Sequence, residues 1–282
     1  MRRRLRHAPS PLLNFGSQPE VSSICVGIVV AMPAELRSLS REAVGVGATL
    51  AIRDQAVIAV SGVGEQRAAQ AAQTLVDAGV SGLVSWGCAA GLDAELPAGA
   101  LCLPEAVVMA DLQRWPTDAD WRREVVAALG RRAICEGALA HAPQVVASSA
   151  AKRELAARAG AVVADMESAA IARVARRHDL PLLVVRSVVD PLALTLPAIV
   201  TDHVDDSGRV PLAPLLRGLL RRPSDLLTLL QLASGFRASL ASLRAVATCT
   251  GDNLLLARVL SRPRPDARNA DTNRFTPGSA LD

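Results

Sequence analysis

Short aliphatic runs alternate with segments of helical periodicity from about residue 24 to residue 190. This alternation is typical of βα units, in which helices pack on a mostly parallel sheet. Half of the 282 residues are hydrophobic but only 2% are aromatic, so Ala, Val and Leu must build the core of a soluble α/β protein. The predicted strands are residues 24–31, 49–54, 56–62, 82–88, 99–108, 161–165 and 182–190, and the clearest predicted helices are residues 64–79, 120–132, 151–160 and 166–179.

The two ends of the chain differ in composition from this central part. Residues 1–22 are rich in Arg, Pro and Ser, and they predict a disordered leader without the sustained apolar segment of a signal peptide. The main domain is predicted over 23–250, and residues 251–282 are predicted to form a mostly disordered tail.

Residues 212–250 are rich in Leu and Arg and predict two amphipathic helices within the domain. The break falls at Arg222 and Pro223, with Ser224 or Asp225 as the N-cap of the second helix. These helices could pack on the core or on another subunit. Alternatively, they could lie at a lipid interface, as basic amphipathic helices do. No uninterrupted apolar run approaches the ~18 residues that span a bilayer.

Charge and cysteine usage exclude several classes of function. The net charge is +4, and the 31 basic residues are Arg apart from Lys152. They do not alternate with aromatic residues, so a nucleic-acid partner is not expected. Five cysteines without a C-x-x-C pair indicate a reducing cytoplasm. The four histidines have no metal-ligand spacing, so no metal and no other cofactor is expected.

Polar and glycine-rich segments follow several of the predicted strands. Ligands of open parallel sheets bind at the carboxyl ends of the strands, where loops lead into helices. Gly62 and Gly64 follow one strand, in a turn that permits close approach of a ligand to the backbone. The turn GCAAGL follows another strand.

Carboxylates stand at three further strand ends, in AMPAEL, ADMES and RSVVD. Each has a simpler explanation: Glu35 can complement a helix dipole, Asp165 can cap a helix, and Asp190 can form a turn before proline. Together they provide the groups that acid–base chemistry on a sugar needs, one to activate water, one to protonate a leaving group and one to hold the sugar. Glu167 can be a charge in the first turn of a helix, and this simpler account needs only one of Asp165 and Glu167.

These motifs, in this order and spacing, resemble the nucleoside phosphorylase and nucleosidase superfamily. The quoted segments are GIVVAMPAEL, SGVG, GCAAGL, ADMESAAIA and VVRSVVDPLA, and the resemblance covers residues 24 to about 195. They look closest to methylthioadenosine/S-adenosylhomocysteine nucleosidases, and the C-terminal part is similar to the hopanoid-associated branch, which is thought to remove adenine from adenosylhopane. The resemblance implies a three-layer α/β fold with a central mixed, mostly parallel twisted sheet, and a homo-oligomer.

The resemblance also implies a role for each motif residue. Glu35 would activate the attacking water, and Asp190 would protonate the purine at N7 as adenine leaves. Met166 and Glu167 would lie under the ribose, the carboxylate accepting hydrogen bonds from its hydroxyls. The turn Gly87-Cys88-Ala89 would line the ribose and the base.

Several positions depart from the family pattern. Val189 replaces the serine that usually precedes the aspartate, Cys88 replaces a Ser or Thr, and residues 108–160 lack the aromatic that typically covers adenine. Phosphorylases of this superfamily place an arginine just before the glycine turn, where this chain has Ser85 and Trp86.

Three functions therefore remain open. Hydrolysis is favoured, phosphorolysis would need Arg67 or Arg186 to hold phosphate, and a non-catalytic nucleoside-binding protein is the third. The substrate is expected to be a small nucleoside, linked to a lipid in the hopanoid case, with contact to the membrane through the C-terminal helices.

Overall fold

The protein is described by a computed structural model that covers residues 24–53, 55–201, 222 and 225–261. Within this part of the chain, eleven strands form one mixed sheet with helices on both faces. The strands are β1 (Val26–Val30), β2 (Thr49–Ile52), β3 (Ala56–Val60), β4 (Gly82–Gly91), β5 (Leu101–Cys102), β6 (Ala106–Val108), β7 (Arg114–Pro116), β8 (Ile134–Cys135), β9 (Ala138–His141), β10 (Ala161–Asp165) and β11 (Leu182–Asp190). The helices are α1 (Pro33–Leu36), α2 (Glu65–Asp77), α3 (Ala119–Leu129), α4 (Ser149–Ala159), α5 (Ser168–Arg177), α6 (Ala198–Thr201), α7 (Asp225–Thr250) and α8 (Leu256–Leu260).

The central strands run parallel to one another, so their carboxyl ends lie at one edge of the sheet. Strand β1 pairs in parallel with β3 and β4, and β4 pairs in parallel with β11. The far end of the long strand β4 pairs antiparallel with β10, at Val163 with Gly91. This crossing brings the segment that follows β10 beside the ends of β4 and β11.

The sheet is covered on both faces, which makes three layers. On one face, α2 and α5 contribute Ala and Leu side chains such as Leu75 and Ile171 to the core. On the other face, α3, α7 and α8 contribute Trp121, Leu243 and Leu256. This is the predicted α/β architecture, with the mixed, mostly parallel sheet at its centre.

The predicted strands are found with small shifts of their ends, apart from residues 99–108. That segment forms two short strands, β5 and β6, which pair with different neighbours. Strands β7, β8 and β9 were not predicted, because two to four residues carry no periodic pattern. The leader 1–22 and the first of the two C-terminal helices, before Arg222, lie outside the described residues.

Helix α7 packs against the end of β11. The Oγ of Ser239 donates a hydrogen bond of 2.6 Å to the carbonyl oxygen of Val188, and both residues are fully buried. Gly235 lies one turn earlier, where a Cβ would overlap the carbonyl oxygen of Val189. The helix therefore approaches the strand as closely as a glycine allows.

The chain continues to fold beyond residue 250, where the predicted tail began. Residues 251–261 form a turn and α8, and Leu254 is buried with its carbonyl oxygen accepting a 2.6 Å hydrogen bond from the indole of Trp121. The domain boundary at 250 is therefore too early, because apolar residues after it complete the core beside α3. Residues 262–282 lie outside the described residues.

Replacing Gly235 with Ala should destabilise the protein, because the added methyl must displace the backbone of Val189. Overpacking of this kind costs about 1–3 kcal/mol. In a chain of this size, that corresponds to a fall in Tm of roughly 2–10 °C in a thermal melt. The matched control is Gly45→Ala, since a Cβ there meets nothing within 4 Å. Equal Tm values for the two variants would contradict the packing of α7 on β11.

Candidate active site

The carboxyl ends of β1, β4, β10 and β11 surround a cavity of about 240 Å³. Much of its lining comes from residues that end or directly follow a strand, and Leu196, Val200 and Leu232 complete it. Of the residues predicted to form the site, the cavity is lined by Glu35, Cys88, Ala89, Met166, Glu167 and Asp190.

Glu35 is held in place by backbone N–H groups. It lies in α1, directly after β1, and its Oε2 accepts hydrogen bonds of 3.0 Å from the amides of Ala31 and Met32. Its Oε1 accepts a 2.8 Å bond from the amide of Cys88 in β4. Burial raises the pKa of Glu35, while the positive charge of Arg186 and these N–H groups oppose that rise. The carboxylate is thus fixed in orientation and desolvated, as a general base for water requires.

Gly87 allows this arrangement by having no side chain. A Cβ at this position would overlap Oε1 of Glu35 and lie 2.6 Å from Nη1 of Arg186. The turn that we expected to line the ribose and the base therefore also lets a carboxylate and a guanidinium approach the backbone of β4.

Arg186 is the buried cation of the site. Its Nη2 lies 2.5 Å from Oδ2 of Asp165 and donates to the hydroxyls of Ser85 and Ser168, at 2.6 and 3.1 Å. Asp165 also accepts a 3.1 Å bond from the amide of Ser168, in the first turn of α5. Asp165 accepts the predicted hydrogen bond from an amide in the first turn of the helix, and its ion pair with Arg186 is additional.

Glu167 lies on the same side of the cavity, beside Met166. Its Oε1 accepts a 2.9 Å hydrogen bond from the amide of Gly64, in the turn after β3. Burial, followed by the nearby charge of Asp165, raises the pKa of Glu167 to about 7, although Arg186 and the Gly64 amide lower it. The carboxyl group of Glu167 therefore gains or loses its proton close to neutral pH.

Asp190 ends β11 and is paired with a lysine. Burial raises its pKa to about 6, and the charge and hydrogen bond of Lys152 oppose the rise. The Nζ of Lys152 lies 2.8 Å from Oδ2 of Asp190. The sequence holds one signal of this contact, which was not used in the prediction: Lys152 is the single lysine among 31 basic residues.

Gly62 and the thiol of Cys88 complete the set of predicted residues. The amide of Gly62 donates to the carbonyl oxygen of Ala31, so this glycine shapes the turn, and the next residue, Val63, lines the cavity. The Cys88 thiol is neutral, because burial and the charge of Glu35 raise its pKa well above the usual value.

The segment between 108 and 160 contributes aliphatic side chains to the cavity, while its two tryptophans, Trp115 and Trp121, do not line it. Ala142, Val145 and Val146 line the cavity, together with Gln144. Among the residues that the structure describes, no group of three or more His, Cys, Asp or Glu side chains could hold a metal ion.

Comparisons with known proteins agree with this fold and cavity. A family profile described as the phosphorylase superfamily matches residues 26–210. The chain therefore belongs to the phosphorylase superfamily, and the prediction of an enzyme that cleaves a glycosidic bond is confirmed at that level. A search among curated proteins found no significant match.

Solved structures with the same fold have low sequence identity to this chain. The 5′-methylthioadenosine/S-adenosylhomocysteine nucleosidase of Neisseria meningitidis, in complex with methylthio-immucillin-A, has a TM-score of 0.59 and 18% identity, covering 80% of this chain and 97% of that one. A mutant of the Helicobacter pylori nucleosidase with 5′-methylthioadenosine in its active site has a TM-score of 0.58 and 18% identity, with coverage of 80% and 99%. A futalosine hydrolase mutant from Helicobacter pylori has a TM-score of 0.53 and 19% identity, with coverage of 58% and 89%.

Because the pKa of Glu167 is raised in the folded protein, the stability of the protein should depend on pH. Its folded pKa of about 7 lies above the ordinary 4.5, so between these values the folded protein binds more protons than the unfolded chain. The contribution of Glu167 to stability is therefore complete below about pH 4.5 and is lost as the pH rises through about 7.

The Glu167→Gln variant keeps a side-chain oxygen that can accept the hydrogen bond from Gly64. Its side chain does not titrate, so the loss of stability with rising pH should disappear. We expect the Tm of the variant minus that of the wild type to be larger at about pH 8 than at about pH 5, by roughly 5–10 °C, because a pKa raised from 4.5 to about 7 changes stability by about 2–3 kcal/mol over this pH range. The exposed substitution Glu95→Gln is the control in the same thermal melts. A difference that does not change with pH would contradict the raised pKa of Glu167 in the folded protein.

Proposed function

We propose that the protein is an N-ribosyl hydrolase that releases adenine from a 5′-substituted adenosine, with adenosylhopane as its substrate. The observation that carries the proposal is the pair Glu35 and Asp190. Both are buried carboxyl groups that line one cavity, and each has a different partner, backbone amides for Glu35 and a lysine for Asp190.

Cleavage of an N-glycosidic bond needs two such groups. Positive charge builds on the sugar in an oxocarbenium-like state, while the departing purine must be neutralised. Glu35, as a carboxylate, takes the proton of the attacking water. Asp190, whose raised pKa keeps part of it protonated near neutral pH, donates a proton to N7 of the base. Met166 supports the sugar, and Glu167 accepts hydrogen bonds from its hydroxyls.

The surroundings of Arg186 favour water over phosphate as the nucleophile. The guanidinium is 2% exposed and is already bonded to Asp165, Ser85 and Ser168, so an entering phosphate would have to displace these partners. Arg67, the other arginine considered for phosphate, lines a different cavity, around residues 47–74.

The cavity wall and α7 support a lipid-linked 5′-substituent. Val63, Val189 and Leu232 give the cavity apolar walls. A polycyclic lipid is larger than about 240 Å³, so it must leave the cavity along apolar surface. The first turns of α7, just before Leu232, provide such a surface, because Leu226, Leu227 and Leu230 are 51%, 66% and 58% exposed.

The length and composition of α7 also fit contact with a membrane surface. Residues Asp225–Thr250 have a stretch with a mean hydropathy of 1.3, of which 17% is buried in the protein. We expect the protein to act at the cytoplasmic face of the membrane, where its lipid substrate resides.

The catalytic roles are tested by two substitutions. Glu35→Gln and Asp190→Asn should each lower the rate of adenine release at least about a hundredfold, the usual scale for general acid–base groups. Adenine release from adenosylhopane and from methylthioadenosine is measured by chromatography, with Glu95→Gln as the control. A variant with a wild-type rate would remove its residue from the mechanism, and a wild type without adenine release would overturn the proposed function.

The proposal that the substrate is linked to a lipid is tested by substituting the exposed leucines of α7. Replacing Leu226, Leu227 and Leu230 together by Ser should lower adenine release from adenosylhopane in vesicles by about tenfold or more, because each apolar side chain removed from lipid costs about 1.5–3 kcal/mol. Release from soluble methylthioadenosine should be unchanged. Leu112→Ser, at a leucine that is 47% exposed elsewhere, is the matched control. Equal loss on both substrates would contradict a lipid contact at α7.

A further inference from the structure

Lys152 is the single lysine of the chain, and it is completely buried. It is the fourth residue of α4, whose N-cap is Ser148. Lysine is almost never fully buried unless it is paired. The helix dipole also favours cations at the other end of a helix. Local structure therefore does not account for a lysine at this position.

The contacts of Lys152 all lie at the end of β11 and in the turn that follows it. Its Nζ donates to the carbonyl oxygens of Asp190, Pro191 and Leu194, at 3.0, 2.9 and 3.0 Å. It also forms the 2.8 Å ion pair with Oδ2 of Asp190. The ammonium group thus binds both the backbone and the side chain of the residue that the proposed reaction uses as its acid.

The three carbonyl oxygens could be satisfied by a neutral hydrogen-bond donor, so they do not explain why the buried residue is a charged lysine. Burying an ammonium group costs several kcal/mol unless a nearby negative charge compensates it. Among the described contacts of Lys152, that charge is the carboxylate of Asp190. The pair is therefore most stable when Asp190 has lost its proton.

We propose that Lys152 is a positioning residue for Asp190, which rests on the function proposed above. By holding Oδ2 and the backbone of the strand end, it leaves Oδ1 to present the proton to N7 of the purine. The proton passes from Oδ1 to N7, the electrons of the C1′–N9 bond move into the purine, and Asp190 remains as a carboxylate paired with Lys152. Lys152 thus stabilises the charge that forms on the acid during the reaction.

This role of Lys152 explains how Asp190 can be oriented although Val189 replaces the serine that usually precedes the aspartate. A hydroxyl group before the aspartate was expected to orient it, and Val189 has none to offer. Lys152 orients the same carboxyl group from α4, a different element, and adds a charge that a hydroxyl would not supply.

The pH dependence of activity follows from the groups around Asp190. These are Lys152, from α4, and the neutral thiol of Cys88, from β4. The protonated form of Asp190 is the active acid, so kcat/KM should fall as the pH rises through its pKa of about 6. Because Lys152 lowers that pKa, removing its charge should move the fall to higher pH.

The test compares Lys152→Met and Lys152→Gln with Arg153→Met, an exposed position next to it in the helix. We expect Lys152→Met to lower kcat about tenfold or more, the scale for a misplaced catalytic group, with KM changed less than about threefold. The upper limb of the kcat/KM profile should move up by about one pH unit or more in both Lys152 variants and stay in place in Arg153→Met. Lys152→Gln, which keeps a hydrogen-bond donor, should retain more of kcat than Lys152→Met.

A double-mutant cycle separates positioning from general damage to the fold. In the Asp190→Asn background, Lys152→Met should cause no further loss of kcat, since Lys152 acts through Asp190. Additive losses, or an unmoved upper limb in an active Lys152 variant, would overturn the role of Lys152 and leave the proposed function intact. A wild type that releases no adenine would overturn both. If Lys152→Met does not fold, Lys152→Gln gives the same pH comparison.

Discussion

The site depends on the electrostatic interactions that the buried guanidinium of Arg186 makes with the carboxyl groups around it. The guanidinium pairs with Asp165, and its charge favours the ionised forms of Glu35 and Glu167. Three carboxyl groups could not approach one another in a desolvated cavity without a cation among them, because like charges and burial both favour neutral forms. The sheet positions this cation, because β11 places Arg186 beside β4, where Gly87 leaves room for its side chain.

A second cation divides the site into two environments. Around Arg186, Glu35 accepts three backbone hydrogen bonds, which together with the guanidinium charge oppose the rise that burial causes in its pKa. Around Lys152, Asp190 is desolvated and has a pKa of about 6, which suits a group that must carry a proton and then release it. Pairs of carboxyl groups whose environments differ in this way divide the acid and base roles of an enzyme between them.

Much of this arrangement is predictable from the sequence. The aliphatic runs locate the central strands because strands buried on both faces need uninterrupted apolar side chains. Glu35, Glu167 and Asp190 each follow or end such a run, and the rule that parallel strands present their carboxyl ends at one edge predicts that they meet. The hydrogen bond from the Ser168 amide to Asp165 is also predictable, because a carboxylate just before a helix commonly bonds the amides of its first turn.

The remaining features depend on tertiary contacts. Lys152 and the carbonyl oxygen of Asp190 are 38 residues apart in sequence, and Arg186 bonds Ser85 across 101 residues, so no local pattern connects them. Strands β7 to β9 are too short to show periodicity. The packing of Leu254 and Leu256 after residue 250 was hidden by the polar composition of the segment beyond them.

In the proposed mechanism, Glu35 directs water, and not phosphate, at the sugar. Mass spectrometry of the sugar product, from reactions in phosphate-free buffer and in saturating phosphate, tests it most directly. We expect a free ribosyl product in both buffers, formed at equal rates. Turnover that requires phosphate, with a product that carries a phosphate group at C1, would contradict it.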